Sequence, residues 1–132
     1  MLVNAGDLYV LKVLTSQIAP EAIRMGLYTN DQVWVEGTVL ADLTEVAVSG
    51  YARQTTAAWV NPVTLGNGRG STIANQVVFA NTSGAAVVAK GFFYVSATTG
   101  AFLGGDNFAA PLTIPATIGT LSIYPELQNN YL

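Results

Sequence analysis

The stretch AVVAKGFFYVSATTGAFLGGDNF, residues 86–108, decides how the chain reads. It opens with a run of small apolar, β-branched and aromatic residues. Thr98, Thr99 and Gly100 then make a short connection, and a second apolar run follows at once. Val, Phe and Tyr suit a pleated, half-buried surface, and a short glycine-containing loop joins antiparallel neighbours. The stretch therefore predicts a β-hairpin. Phe92, Phe93 and Tyr94 put successive rings on opposite faces of its first strand. One of those faces must be core. The other is a candidate protein contact, with Phe93 as its anchor.

Working outward, the same texture recurs. Residues 22–28 form an apolar run that ends at Thr29, Asn30 and Asp31. Runs 46–56 and 57–65 follow, the second closing on a glycine-rich loop. Run 77–80 meets Asn81, Thr82, Ser83 and Gly84, and run 117–127 follows Pro115. Regular turn signals between short strands predict a mainly β fold, an antiparallel β-sandwich or jelly-roll-like barrel of about 6–8 strands. Ahead of Pro20 the pattern predicts a short N-terminal helix over 4–17. Asn4 serves as its N-cap, Asp7 suits its first turn, and Leu8, Leu11 and Leu14 lie at helical spacing. Val10 and Val13 keep a strand open as an alternative there. The whole reads as one domain, 1–132, with an N-terminal helical arm over 1–19 and a C-terminal tail over 128–132.

Charge is scarce. Of 132 residues, 10% are charged, where the surface of a small soluble domain ordinarily carries about 25–35%. Only Arg69, Lys90, Asp106 and Glu126 lie beyond Arg53. Missing charge implies that much of the surface faces other protein. A net charge of −3 with five scattered cations argues against nucleic-acid binding. The uncharged stretches 70–89 and 107–125 are broken by polar residues and by proline, so neither predicts a membrane span. The start of the chain lacks a basic leader, which predicts synthesis in a cytoplasm.

Reactive chemistry is scarce too. There is no His and no Cys, which removes Ser-His-Asp and Cys-His catalysis, disulfides and thiolate metal sites. GNGRGS at 66–71 has no Lys after its last glycine, so it reads as a loop rather than a phosphate cradle. Arg69 is its only charge and a candidate contact. Asp31, Glu36, Asp42 and Glu45 crowd one stretch and read as a solvated acidic face, with Arg53 or Arg24 as partners for Glu45. Trp34, between Asp31 and Glu36, is a candidate exposed anchor, because interfaces favour Trp and Tyr. No residue pattern calls for a cofactor.

The stretches NAGDLYVLKVL, GLYTND, LADLTEVAVSGYARQT, KGFFYVSATTGAFLGGDNF and PLTIPATIGTLSIYPELQ, in this order, resemble small virion proteins of tailed bacteriophages, of the capsid decoration or cement type. The resemblance implies a non-enzymatic β-rich protein on the capsid surface, assembled in the host cytoplasm. Its implied partners are the major capsid protein and copies of itself as a trimer or dimer, with no direct nucleic acid and no membrane. The candidate interface residues of this chain are Leu8, Leu11, Trp34, Arg69, Phe93, Tyr131 and Leu132, of which Arg69, Tyr131 and Leu132 lie in a loop and a tail outside the resembling stretches. Two other placements remain open: a tail, neck or baseplate protein, and a carbohydrate- or receptor-binding β-sandwich using Trp34. An enzyme would need two of Asp31, Glu36, Asp42 and Glu45 in one cleft.

Overall fold

A computed structural model describes residues 1–67, 69–116 and 119–128. Helix α1 spans Asn4–Leu14. Nine strands follow among the described residues: β1 (Ile23–Tyr28), β2 (Gln54–Thr55), β3 (Val63–Thr64), β4 (Gly70–Ile73), β5 (Val77–Asn81), β6 (Val87–Ser96), β7 (Phe102–Ile114), β8 (Gly119–Ile123) and β9 (Glu126–Gln128). They make a four-stranded sheet in the order β2-β1-β6-β7, a three-stranded sheet β3-β4-β9 and a ribbon β5-β8. Every pairing is antiparallel. The fold is mainly β and sandwich-like, as the sequence predicts.

The strand number exceeds the expected 6–8 for a local reason. Run 117–127 divides at Tyr124-Pro125, and its halves join different sheets as β8 and β9. Runs 46–56 and 57–65 keep only the two-residue strands β2 and β3. Gly50 at φ 86° and Ala58 at φ 51° turn the backbone out of extended conformation within them. The predicted 86–108 hairpin is present as β6 and β7. A bulge at Leu103 separates the pairs Tyr94↔Gly104 and Val95↔Phe102.

Register places the core. Met25 and Leu27 of β1 lie opposite Tyr94 and Phe92 of β6, on the face that packs against Val77 and Phe79 of β5. Gly26 and Tyr28 lie opposite Phe93 and Gly91 on the other face. That second face is covered by Val3, Trp34, Leu40 and Leu43. Strand β6 is therefore buried on both sides. Phe93, expected as an interface anchor, is fully buried. Its ring fills the space left by Gly26, where an added Cβ would stand 2.3 Å from the ring. The Arg53 guanidinium lies over the same ring, 5.2 Å from its centroid.

Two polar devices fix the layers. The Tyr28 hydroxyl donates to Asn107 Oδ1 at 2.5 Å and accepts from the Trp34 indole N–H at 3.0 Å. It thus ties β1, β7 and the loop over 29–45 at one point. Burial pushes its pKa up. Asn81 is fully buried at the end of β5. Its Nδ2 donates to the Ala85 and Ile114 carbonyls, and its Oδ1 accepts from the amide and hydroxyl of Ser83. Among the described residues no buried side-chain polar atom lacks a partner.

Candidate interaction surfaces

Helix α1 starts without a side-chain cap. Val3, in extended conformation, precedes it, and Asn4 is its first helical residue rather than its cap. The Asn4 amide instead donates to the Glu36 carbonyl at 2.9 Å. An orphan donor at the helix start is thus met by a loop. The helix docks through Gly6, whose position meets the Leu103 carbonyl so closely that a Cβ would stand 2.0 Å from that oxygen. Tyr9 anchors the same side, accepting at its hydroxyl from the Glu21 amide at 3.0 Å.

Docking through Gly6 sets which face is left bare. Leu8, Leu11 and Leu14 are 52%, 57% and 74% exposed. Asn4 and Thr15 continue this ridge, and Asp7 and Lys12 sit half-buried at its borders. A helix spaced every 3.6 residues usually turns such a stripe inward. Here Val10 and Val13 occupy the half-buried side, and the leucines face solvent. The two expected contact residues Leu8 and Leu11 lie side by side on this ridge.

Beside the ridge lies a groove of about 450 Å³, lined by Tyr9, Val10 and Leu14 of α1 and by Ile23, Pro62 and Leu127 from the sheets. Leu14 belongs to both ridge and groove. The outer face of the β5-β8 ribbon is uncharged as well. Val78 stands opposite Ser122 there, and Ala80 opposite Thr120.

The remaining expected contacts fare differently. Trp34 is half-buried, with its ring 6.1 Å from that of Tyr28 and 6.0 Å from Phe102. Its N–H is spent on Tyr28, so it is a structural anchor rather than an exposed one. A buried indole needs a partner for its donor, and Tyr28 supplies it. Arg69 is half-exposed, beside a second cleft of about 250 Å³. Tyr131 and Leu132 lie outside the described residues.

The acidic stretch does not converge. Asp31 pairs with Lys90 at 2.8 Å. Asp42 accepts from the Val39 amide and closes a turn. Glu36 is exposed and offers its main-chain carbonyl to α1. Glu45 takes two bonds from Arg53, at 2.9 and 2.7 Å, and a third from the Tyr51 hydroxyl. That set holds Arg53 charged, its pKa raised chiefly by the Glu45 hydrogen bonds. Three of these four carboxylates therefore hold structural bonds, and none of the four lines the groove beside α1 or the cleft beside Arg69. Among the described residues no group of three His, Cys, Asp or Glu could hold a metal ion, and no helix is long and apolar enough to cross a membrane.

The cleft beside Arg69 is the feature the sequence reading missed. Asp106 of β7 and Glu126 of β9 line it together with Arg69. The signal was present in the rarity of charge after Arg53, but only the pairing of distant strands brings those charges together. Neither protein-family models nor curated proteins give a match to this chain.

Proposed function

We propose that the chain is a non-enzymatic structural component of a tailed-phage particle, a capsid decoration or cement protein that binds across subunits of the shell. The observation that carries this reading is the bare leucine ridge of α1, with the groove alongside it. A soluble monomer rarely leaves a contiguous apolar surface of this kind uncovered, and such surfaces mark protein contacts. The uncharged β5-β8 face offers a second adhesive surface, so the molecule has two sides for a lattice contact. The phage resemblance of the sequence stretches supports the same role.

The mechanism is burial. The ridge and groove cover each other or a capsid neighbour, and the shell gains the free energy of removing leucine and valine from water. Stable contacts bury roughly 1,200–2,000 Å² in total, which one ridge approaches only together with its groove or the ribbon face. Three carboxylates of the 31–45 stretch, those of Asp31, Asp42 and Glu45, are engaged in structural bonds, which supports the non-enzymatic part of the reading.

The test is stoichiometry in purified particles, read by quantitative mass spectrometry and a map of the shell. Hundreds of copies on the capsid surface are expected. A handful of copies at the tail or neck would replace decoration with a tail or baseplate role. Absence from particles would overturn the reading.

A further inference from the structure

After Arg53 the chain carries only four charged residues, and the structure gathers three of them in one place. Lys90 is the exception, paired with Asp31. Arg69 from the β3–β4 loop, Asp106 from β7 and Glu126 from β9 line the cleft of about 250 Å³, together with the amide side chains of Asn107 and Gln128. A chain this sparing with charge places it where few folds would need it, at the gap between the edges of two sheets.

The polar groups there are oriented. Glu126 Oε1 accepts from the Ser71 hydroxyl at 2.6 Å and from Gln128 Nε2 at 2.7 Å. These bonds hold its carboxyl below the ordinary range. Asp106 Oδ1 accepts from the Asn107 amide at 2.8 Å. Among the described residues, nothing donates to the second oxygen of either carboxylate, and the Arg69 guanidinium forms no ion pair. The floor is apolar and fixed. Phe92 lines it, with its ring 5.5 Å from both Tyr94 and Phe108.

We propose that this cleft binds one ring of a neutral sugar. Its rim carries both kinds of hydrogen-bonding group at close quarters. Carboxylate oxygens only accept, a guanidinium only donates, and a carboxamide does both. A hydroxyl both donates and accepts, so a ligand bearing several neighbouring hydroxyls matches such a rim. An anion would meet Asp106 and Glu126, and a cation would meet Arg69. A neutral polyol meets neither penalty. The apolar C–H face of a pyranose suits the Phe92 floor, and pockets of this kind combine an apolar lining with a few convergent polar groups. Trp34 has no part in it, since its indole is committed to Tyr28. The cleft adjoins the groove beside α1, sharing Leu2, Leu103, Leu127 and Gln128 with it. Arg69, Asp106 and Glu126 are not among the groove residues, and the ridge leucines are not among the cleft residues, so separate substitutions test the two readings.

The experiment is binding of the full chain to an array of neutral and anionic oligosaccharides, followed by titration of the best neutral ligand by calorimetry. Asp106→Ala and Arg69→Ala are each expected to weaken that ligand about tenfold or more, the loss of one charge-assisted hydrogen bond. Leu11→Ser, on the α1 ridge, is expected to leave it unchanged. Unchanged melting temperatures of both cleft variants show that binding, rather than folding, was lost. Three outcomes each overturn the proposal: no neutral sugar bound by the folded chain, a preference for anionic sugars, or neutral binding that survives both cleft substitutions. Loss of particle incorporation with sugar binding intact would instead count against the decoration role alone.

Discussion

Replacing Leu11 with Asp puts a charge at the centre of the leucine ridge while touching little inside the fold. The magnitudes follow from exposure. Leu8, Leu11 and Leu14 are 52%, 57% and 74% bare, together nearly two whole leucine side chains. Fully burying one leucine is worth about 1.5–3 kcal/mol, so covering the ridge contributes about 3–5 kcal/mol for each copy. Leu11→Ala removes roughly one third of that, about tenfold in affinity. Leu11→Asp also forces a carboxylate into an apolar contact, a cost of several kcal/mol that raises the loss to about a hundredfold or more. The cost to the isolated fold is small by comparison. Leu11 is more than half exposed, and the helix-propensity difference is about 0.5 kcal/mol. The assay is sedimentation velocity across a concentration series, with incorporation into particles measured alongside and a thermal melt as control. Wild-type chain is expected to self-associate or to bind particles, and Leu11→Asp to do neither while melting within a few degrees of wild type. A Leu11→Asp chain that associates and incorporates like wild type would refute the reasoning.

Three further outcomes are expected. Gly26→Ala drives a methyl to within 2.3 Å of the buried Phe93 ring, so Tm should fall by about 5–10 °C in calorimetry, and an unchanged Tm would show that β1 and β6 can separate freely. Asn81→Ala strips partners from Ser83, Ala85 and Ile114 and should cost about 2–3 kcal/mol by denaturant titration, whereas a change under 0.5 kcal/mol would mean that water replaces the amide. Glu126 has its pKa lowered by hydrogen bonds from Ser71 and Gln128. A carboxyl lowered in the folded state stabilises it above the ordinary value of 4.5 and ceases to do so as pH falls through the folded value. Protection factors of the β4-β9 amides, taken relative to the intrinsic exchange rate at each pH, should therefore fall on acidification below about pH 4.5, and Glu126→Gln should abolish that fall.

Local signals carried the elements but not their partners. The 86–108 hairpin was legible because its strands are adjacent and its turn chemistry lies between them. Strands β1 and β6, β4 and β9, and β5 and β8 also pair, yet nothing near them in sequence marks the partner. That is why the cleft of Arg69, Asp106 and Glu126 was invisible: each charge lies on a different element. The leucine stripe was legible as a stripe, but its direction was not. Both sides of α1 are apolar, and periodicity alone does not choose between them. Gly6 decides, because only a side without a Cβ can approach the Leu103 carbonyl. Phe93 and Trp34 failed as surface anchors for one shared reason. The second face of β6 is roofed by a loop, and a roof contributed from residues 34–43 has no periodic signature.

The position of β6 between β1 and β7 also sets the order in which the chain can fold. The β6-β7 pair closes across the short turn at Gly100 and can form early, whereas Ile23 must find Ser96 across most of the intervening chain. Contacts of such long sequence separation form slowly. Until β1 arrives, Phe92, Phe93 and Tyr94 stand along an open strand edge in a chain with little charge to keep copies apart. Nascent molecules are then exposed to off-pathway sticking. Yield in an expressing cell should therefore depend on temperature and chaperone supply more steeply than the stability of the finished fold would suggest.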